Sequence, residues 1–310
     1  MHVFTDDLSV AKKIVPEASG WIEREYISGI RDCRILQDKI YGGQQVYYCE
    51  FNSDLIWQYL FIIKEASGSH YDLLVNLSNE NINLPDGILT IADSGKGFHG
   101  FKNRRWIANS GNIHLCAYLS PNEEIINYGA GLPILSAVSV VEAIDKIEDL
   151  NNRAGIKWVN DILIDGAKVG GFLTQSQPQG NIISGIVLGI GLNVESSPDA
   201  EPTPYVPKSA CLKEFIRYDG DCGQSDLFNN LIQRLDINYK HLIDGGFRKL
   251  FNIYKERSIV INQMVKIHPD RIDYKPEEII EGKVTDIGEN LELYMSGRDS
   301  PVFRGRLILK

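Results

Sequence analysis

Cysteine is scarce and scattered in this chain. The five residues, Cys33, Cys49, Cys116, Cys211 and Cys222, are odd in number, contain no C-x-x-C pair and have no nearby histidine at metal-ligand spacing. That pattern speaks against a disulfide framework or a zinc cluster. Long apolar runs are missing as well. No stretch approaches the roughly 18 residues a membrane span requires, and Met1-His2-Val3-Phe4-Thr5-Asp6-Asp7 is not a basic segment leading into an apolar one. Positive charge is in deficit, with 32 Lys and Arg against 41 Asp and Glu for a net charge of −9, which argues against bulk binding of DNA, RNA or an anionic membrane. Internal repeats and low-complexity tracts are absent. The expectation is a cytoplasmic protein with no DNA or membrane partner and no resident metal site.

What is present is an ordinary globular composition. Of 310 residues, 43% are hydrophobic and 24% charged, enough to bury a core, and the length predicts one large domain plus a smaller one. Residues 7–15 suggest a short helix and 45–51 a strand; 53–65 suggest a helix, with Leu55, Tyr59, Ile62 and Ile63 at core-facing spacing. The Asn-rich stretch 67–86 has the look of an insertion. Strands are predicted at 88–92 and 113–119 around a glycine-bearing loop, followed by a helix over 132–150 with one buried face. Three strands (156–158, 161–164, 169–175) follow, with the Asp165-Gly166 pair as a hairpin signal. An almost wholly apolar strand spans 185–194, a Pro-rich loop 196–207 and a helix 225–242. Beyond Ile259 four short strands suggest a small barrel. The mixed order favours an α+β fold over a doubly wound sheet.

Three segments carry chemistry. Gly95-Lys96-Gly97-Phe98-His99-Gly100 is either a structural turn or a loop whose amides approach an anion closely, with Lys96 as counter-charge. It satisfies neither the P-loop, which needs Gly-Lys-Ser/Thr opening a helix, nor the Rossmann pattern. Lys157-Trp158-Val159-Asn160-Asp161 places a cation, an indole, an amide and a carboxylate amid strand signals. Alternation sends Lys157, Val159 and Asp161 to one face unless a bulge intervenes; a structural Lys157–Asp161 ion pair and a catalytic site are both open. Lys168 opens Lys168-Val169-Gly170-Gly171, where the glycines suggest close approach of backbone and ligand, and a lone turn lysine is otherwise simply solvated.

Gly95-Lys96-Gly97, Trp106, Ser110-Gly111-Asn112-Ile113, the 157–161 block, Lys168-Val169-Gly170-Gly171, Gly189-Ile190-Gly191-Leu192-Asn193-Val194 and Ser209-Ala210-Cys211-Leu212 occur in the order and approximate spacing of biotin protein ligases. The resemblance runs from about residue 85 to 310. It implies a mixed β-sheet flanked by helices, like that of class II aminoacyl-tRNA synthetases, plus a C-terminal SH3-like β-barrel. The domains expected are an N-terminal extension (1–45), a ligase domain (46–256) and a small β domain (257–310). The implied reaction joins biotin to ATP as biotinyl-5'-adenylate, then passes biotin to a lysine of a carrier domain on a carboxylase subunit. Mg2+ would accompany ATP, and the enzyme would be a monomer or homodimer.

By the same resemblance Lys168 binds the carboxyl and α-phosphate oxygens, Asp161 holds the adenylate site, Trp106 packs on adenine and Asn193 sits at the nucleotide's edge. Gly95 to Gly100, Lys157, Asn160, Gly170 and Gly171 complete the binding set. The chain departs from the family at Phe98, where a second basic residue is usual, at Asn103 to Arg105, which are extra, and at Ala92, which replaces a glutamine near the biotin ring. Asn52-Ser53-Asp54 is a degraded counterpart of the Ser-Thr-Asn signature. Loss of one charge-assisted hydrogen bond costs about 1.5–3 kcal/mol, and His99, Arg104 and Arg105 are candidates to offset it. These departures keep a lipoate, octanoate or other acyl-acid ligase, and a non-catalytic adenylate-binding module, as alternatives.

Overall fold

The computed structural model describes residues 1–24, 31–80, 84–217, 222–269 and 279–310. In chain order come β1 (His2–Thr5), α1 (Leu8–Ile14), β2 (Ile22–Arg24), α2 (Arg31–Tyr41), β3 (Val46–Glu50), β4 (Tyr59–Ala66), α3 (His70–Asn79) and β5 (Ile88–Gly95). A small ribbon, β6 (His99–Gly100) with β7 (Arg104–Arg105), leads to β8 (Ile113–Leu119) and α4 (Tyr128–Ile144). Next are β9 (Gly155–Lys157), β10 (Asp161–Ile164), β11 (Ala167–Gln179), β12 (Ile182–Leu192), α5 (Gln224–Ile243) and α6 (Phe247–Arg257). The C-terminal part holds β13 (Met264–His268), β14 (Ile280–Ile287), β15 (Leu293–Met295) and β16 (Arg306–Leu309).

Ten strands form one mixed sheet in the order β2-β3-β1-β4-β5-β8-β12-β11-β10-β9. Only the β1–β4 and β4–β5 pairings are parallel. Helices cover both faces, which makes an α+β layer structure. On one face α4 is buried along nearly its whole circumference, packed by α5, α6 and β11; a helix that is apolar all round belongs in the interior, so the expectation of one buried face was too narrow. It also ends at Ile144, and Glu148–Leu150 form a separate 3-10 turn. On the other face α2 and α3 close a second apolar cluster of Leu36, Leu74, Leu77, Phe61, Tyr118 and Val187. The four C-terminal strands form their own antiparallel sheet, β15-β14-β13-β16.

One expectation needs correction, and two further stretches find their place. Residues 53–65 are no helix: β4 occupies Tyr59–Ala66, because Leu60, Phe61, Ile62 and Ile63 are consecutive and all buried, the pattern of a strand covered on both faces. The stretch 67–86, apart from residues 81–83, which lie outside the described residues, contains α3, whose first turn is capped by Ser69 Oγ accepting from the Asp72 amide at 3.2 Å. Within residues 1–45, β1 and β2 are strands of the main sheet.

The Asp165-Gly166 signal corresponds to a two-residue turn joining β10 to β11, with φ of +48° and +79°, the left-handed pair a tight hairpin requires.

Candidate functional site

The chemistry-bearing residues are brought together by cross-strand register. Gly171 of β11 sits opposite Asp161 of β10 and Gly191 of β12, and Gly191 sits opposite His114 of β8. Asp161, Gly171, Gly191 and His114 therefore form one row across the sheet. Lys157 extends it, being the β9 partner of Asp161. The 157–161 block is thus the end of one strand, a turn and the start of the next rather than one alternating strand.

A bulge turns Lys168 into the same cleft. Ile162 pairs with Gly170 but Leu163 pairs with Lys168, so Val169 is an extra residue in β11. Val169 is buried in the α4-side core, and the extra residue returns Lys168 to the side of Gly171; re-aiming a side chain is a recognised use of a bulge. The Lys168 ammonium lies 2.5 Å from Asp161 Oδ1, with the two side chains 19% and 12% exposed. Asp161 therefore pairs with Lys168 and not, as an ion pair within the block would have it, with Lys157. Lys157 is buried and donates to the Tyr205 carbonyl; burial holds its ammonium below the usual lysine range, against the pull of Asp161.

Glycines make the floor flat where aromatic rings rest on it. A Cβ on Gly191 would stand 2.6 Å from the Trp106 ring, so only glycine admits the indole here. Trp106 is fixed twice more, by its amide donating to Phe98 O at 2.9 Å and its indole Nε1 donating to His114 Nδ1 at 3.2 Å. His114 Nε2 in turn donates to Asn109 O at 3.0 Å, and burial lowers the His114 pKa, which keeps it neutral with Nδ1 free to accept. Asn193, just past β12, donates through Nδ2 to Ala210 O at 3.1 Å while its buried Oδ1 has no partner among the described residues. A buried acceptor left open beside a cleft is uncommon unless something fills it.

These groups enclose a cleft of about 440 Å³. Of the residues singled out in the sequence, Asp161, Lys168, Asn160, Gly171, Trp106, Asn193, Phe98, His99 and Gly100 line it. Gly95, Lys96, Gly97, Lys157 and Gly170 are not among its lining residues. Lys96 is 84% exposed and 3.5 Å from Glu65, the solvated alternative. Gly97 supplies a turn at φ +71°, Gly170 lies under the Leu192 side chain, and the Phe98 ring packs over Gly95. His99 Nε2 is bound to Asp72 at 2.8 Å; burial opposes its protonation, but hydrogen bonds to Gly100 and Asp72 raise its pKa overall. Among the other residues expected to depart from the family, Ala92 is fully buried in the second core, and Asn52, Ser53 and Asp54 are outside the cleft lining, which Ser69 joins.

Arg306 was not anticipated. It lies on β16 in the C-terminal sheet, lines the cleft, and stacks its guanidinium 3.3 Å from the Tyr205 ring centroid. Its Nε is buried with no partner among the described residues, and burial and the nearby Arg104 lower its pKa. Trp158 ties the same two parts together, its indole donating to Leu291 O at 2.6 Å. No local sequence signal marks Arg306, because only the packing of the C-terminal sheet brings it to the cleft.

Comparison with known proteins finds relatives of part of the chain and of its fold. Residues 80–193 match the biotin/lipoate A/B protein ligase family. The bifunctional ligase/repressor BirA of Bacillus subtilis is 34% identical over 182 residues, 58% of this chain and 54% of that protein. The biotin--[acetyl-CoA-carboxylase] ligase of Paracoccus denitrificans is 32% identical over 113 residues, 36% of this chain and 47% of the relative. The chain thus spans about half the length of these relatives. The biotin protein ligase of Aquifex aeolicus, solved with biotin and ATP, superposes with a TM-score of 0.61 at 20% identity, over 81% of this chain and 98% of that one. Residues 80–193 are thus similar to the biotin/lipoate A/B protein ligase family, in a chain that shares the fold of the Aquifex aeolicus biotin protein ligase.

Proposed function

We propose that the cleft activates a carboxylic acid, in the first instance biotin, with ATP and then passes it to a protein lysine. The observation that carries this reading is the Lys168–Asp161 pair, held at 2.5 Å where Trp106 covers the glycine floor. In the first step a carboxylate oxygen attacks the α-phosphorus, the bond to the departing pyrophosphate breaks, and Lys168 sits against the oxygens that gain charge. In the second a lysine amine attacks the acyl carbon, the acyl–phosphate bond breaks and AMP leaves. Asp161, held in place by Lys168, orients that amine, and Trp106 stacks on adenine. The open Asn193 Oδ1 faces the nucleotide's edge.

Arg104, Arg306 and Lys157 are close enough to act on one another electrostatically, and this cationic group suits a polyphosphate. It supports Arg104 as the offset for the missing basic residue at Phe98. A magnesium would come with ATP and neutralise phosphate charge. The remaining proposals are a division near residue 257, an SH3-like closure of the C-terminal strands, a carboxylase carrier domain as acceptor, a cytoplasmic monomer or homodimer, and, from the net charge of −9, no DNA partner.

A second reading, a lipoate or octanoate ligase, is favoured by the part of the cleft lined by Leu173, Cys116, Tyr71 and Phe98, whose carbon-rich surface suits an alkyl chain. Pyrophosphate exchange into ATP tests both. Exchange that requires biotin supports the first, exchange that requires a lipoyl or alkyl acid supports the second, and no exchange with any acid means a binding module.

A further inference from the structure

Two residues along the strands from the row that holds Asp161 lies a second row, Leu173, Gly189 and Cys116, in cross-strand register. At about 3.4 Å per residue the two rows are about 7 Å apart. Nothing in this second row carries charge. Burial pushes the Cys116 thiol up to about 12, so it stays protonated, and the floor beyond it closes with Val187 and Tyr118, both buried.

Over Gly189 sits Tyr71, from the first turn of α3. A Cβ on Gly189 would come 2.8 Å from the Tyr71 ring, and Tyr71 both lines the cleft and packs on the core behind it. Its hydroxyl makes no hydrogen bond among the described residues, and burial raises its pKa, so it remains a neutral phenol.

We infer that Tyr71 is the specificity-determining residue for the acid: with the carboxylate at Lys168, the tail runs along the floor toward Gly189 and ends against the Tyr71 ring that covers it, which limits its length. The assignment rests on the acid-activating reading of the Lys168 end. It places recognition of the acid in a ring from α3 that can be changed without touching Lys168 or Asp161.

The test compares wild type with Tyr71→Ala, Tyr71→Leu and Tyr71→Phe, using biotin and straight-chain acids of six to twelve carbons. Acid-dependent pyrophosphate exchange is read alongside calorimetric binding of the same acids without ATP. The expected result is a wild-type cutoff beyond which kcat/KM or affinity drops at least tenfold. In the Ala and Leu variants that cutoff moves to acids at least two carbons longer, and in the Phe variant it stays in place. A cutoff unmoved by both truncations, or moved as far by Phe as by Ala, overturns the assignment. Exchange absent throughout while the calorimetric cutoff still moves would refute the activation reading and leave the role of Tyr71 standing. No acid bound by any form would refute both.

Discussion

Replacing Lys168 with Ala separates chemistry from stability. The ammonium is 2.5 Å from Asp161 Oδ1, and both side chains are largely buried. Stranding a carboxylate alone in such a place costs about 3–5 kcal/mol. Asp161 would not be alone, since Lys157 is its cross-strand neighbour and interacts with it electrostatically. The loss should therefore be nearer the roughly 1–3 kcal/mol of one charged hydrogen bond, which a domain with about 5–15 kcal/mol in hand survives at 25 °C. The rate should suffer far more. A preorganised group aimed at charge that develops in the transition state is worth a factor of about 100 to 1,000. Pyrophosphate exchange by Lys168→Ala should thus fall by two to three orders of magnitude, while urea unfolding still shows a cooperative transition. Lys168→Arg, which keeps the charge, should recover part of the loss. Exchange within threefold of wild type in a folded Lys168→Ala protein would refute the role given to this residue.

The floor, the acid limb of stability and the C-terminal contribution each give a further outcome. Gly191→Ala should displace the Trp106 ring that lies 2.6 Å from the added Cβ, destabilise by about 1–3 kcal/mol through overpacking and raise the KM for ATP; an unchanged KM would count against the adenine role of Trp106. His70, on α3, is buried with Nδ1 unpartnered among the described residues, and burial pushes its pKa down to about 4. Because the unfolded chain takes up this proton near pH 6.5 and the folded one does not, stability is full above that pH and declines as pH falls toward 4. At 1.36 kcal/mol per pH unit the decline reaches about 3 kcal/mol. Denaturant titrations from pH 7 to 4 should show this slope in wild type and its loss in His70→Gln. Arg306→Ala should raise the KM for ATP while leaving acid binding without nucleotide unchanged; equal weakening of both would place Arg306 at the acid end instead.

Reading the chain in advance reached the residues whose chemistry is local. Lys168 and Asp161 stand out because a lysine and a carboxylate beside paired glycines in apolar strands are costly unless used. Their pairing was harder to see, since it depends on Val169 being an extra residue in β11, and a bulge is defined only against the partner strand. Lys96 was prominent for the same glycines, yet it lies in solvent beside Glu65; nearness in sequence to a close-approach loop does not set the direction of a side chain. Residues 53–65 misled because Leu55, Tyr59, Ile62 and Ile63 satisfy helical spacing, while the four consecutive apolar residues 60–63 satisfy a buried strand equally. Tyr71 and Arg306 carry no local mark at all, because α3 and β16 reach the cleft only through tertiary packing.

The two-row floor also explains how the cleft can form with Phe98 where the biotin protein ligases that the sequence resembles are expected to carry a basic residue. The carbonyl of Phe98 accepts the Trp106 amide, a contact every residue type can provide, so positioning of the indole does not depend on the missing basic side chain. What the substitution removes is charge, and Arg104 on the adjoining ribbon lines the same cleft. What it adds is an apolar ring, packed near His114 with centroids 5.7 Å apart and facing the cleft together with Tyr71 and Cys116. Ala92, buried in the core behind, can act on a ligand only through the residues that cover it. Phe98 therefore changes the cleft's polarity without dismantling the row of Asp161, Gly171, Gly191 and His114, so that under the proposed acid activation the acid accepted can vary while the Lys168–Asp161 pair is retained.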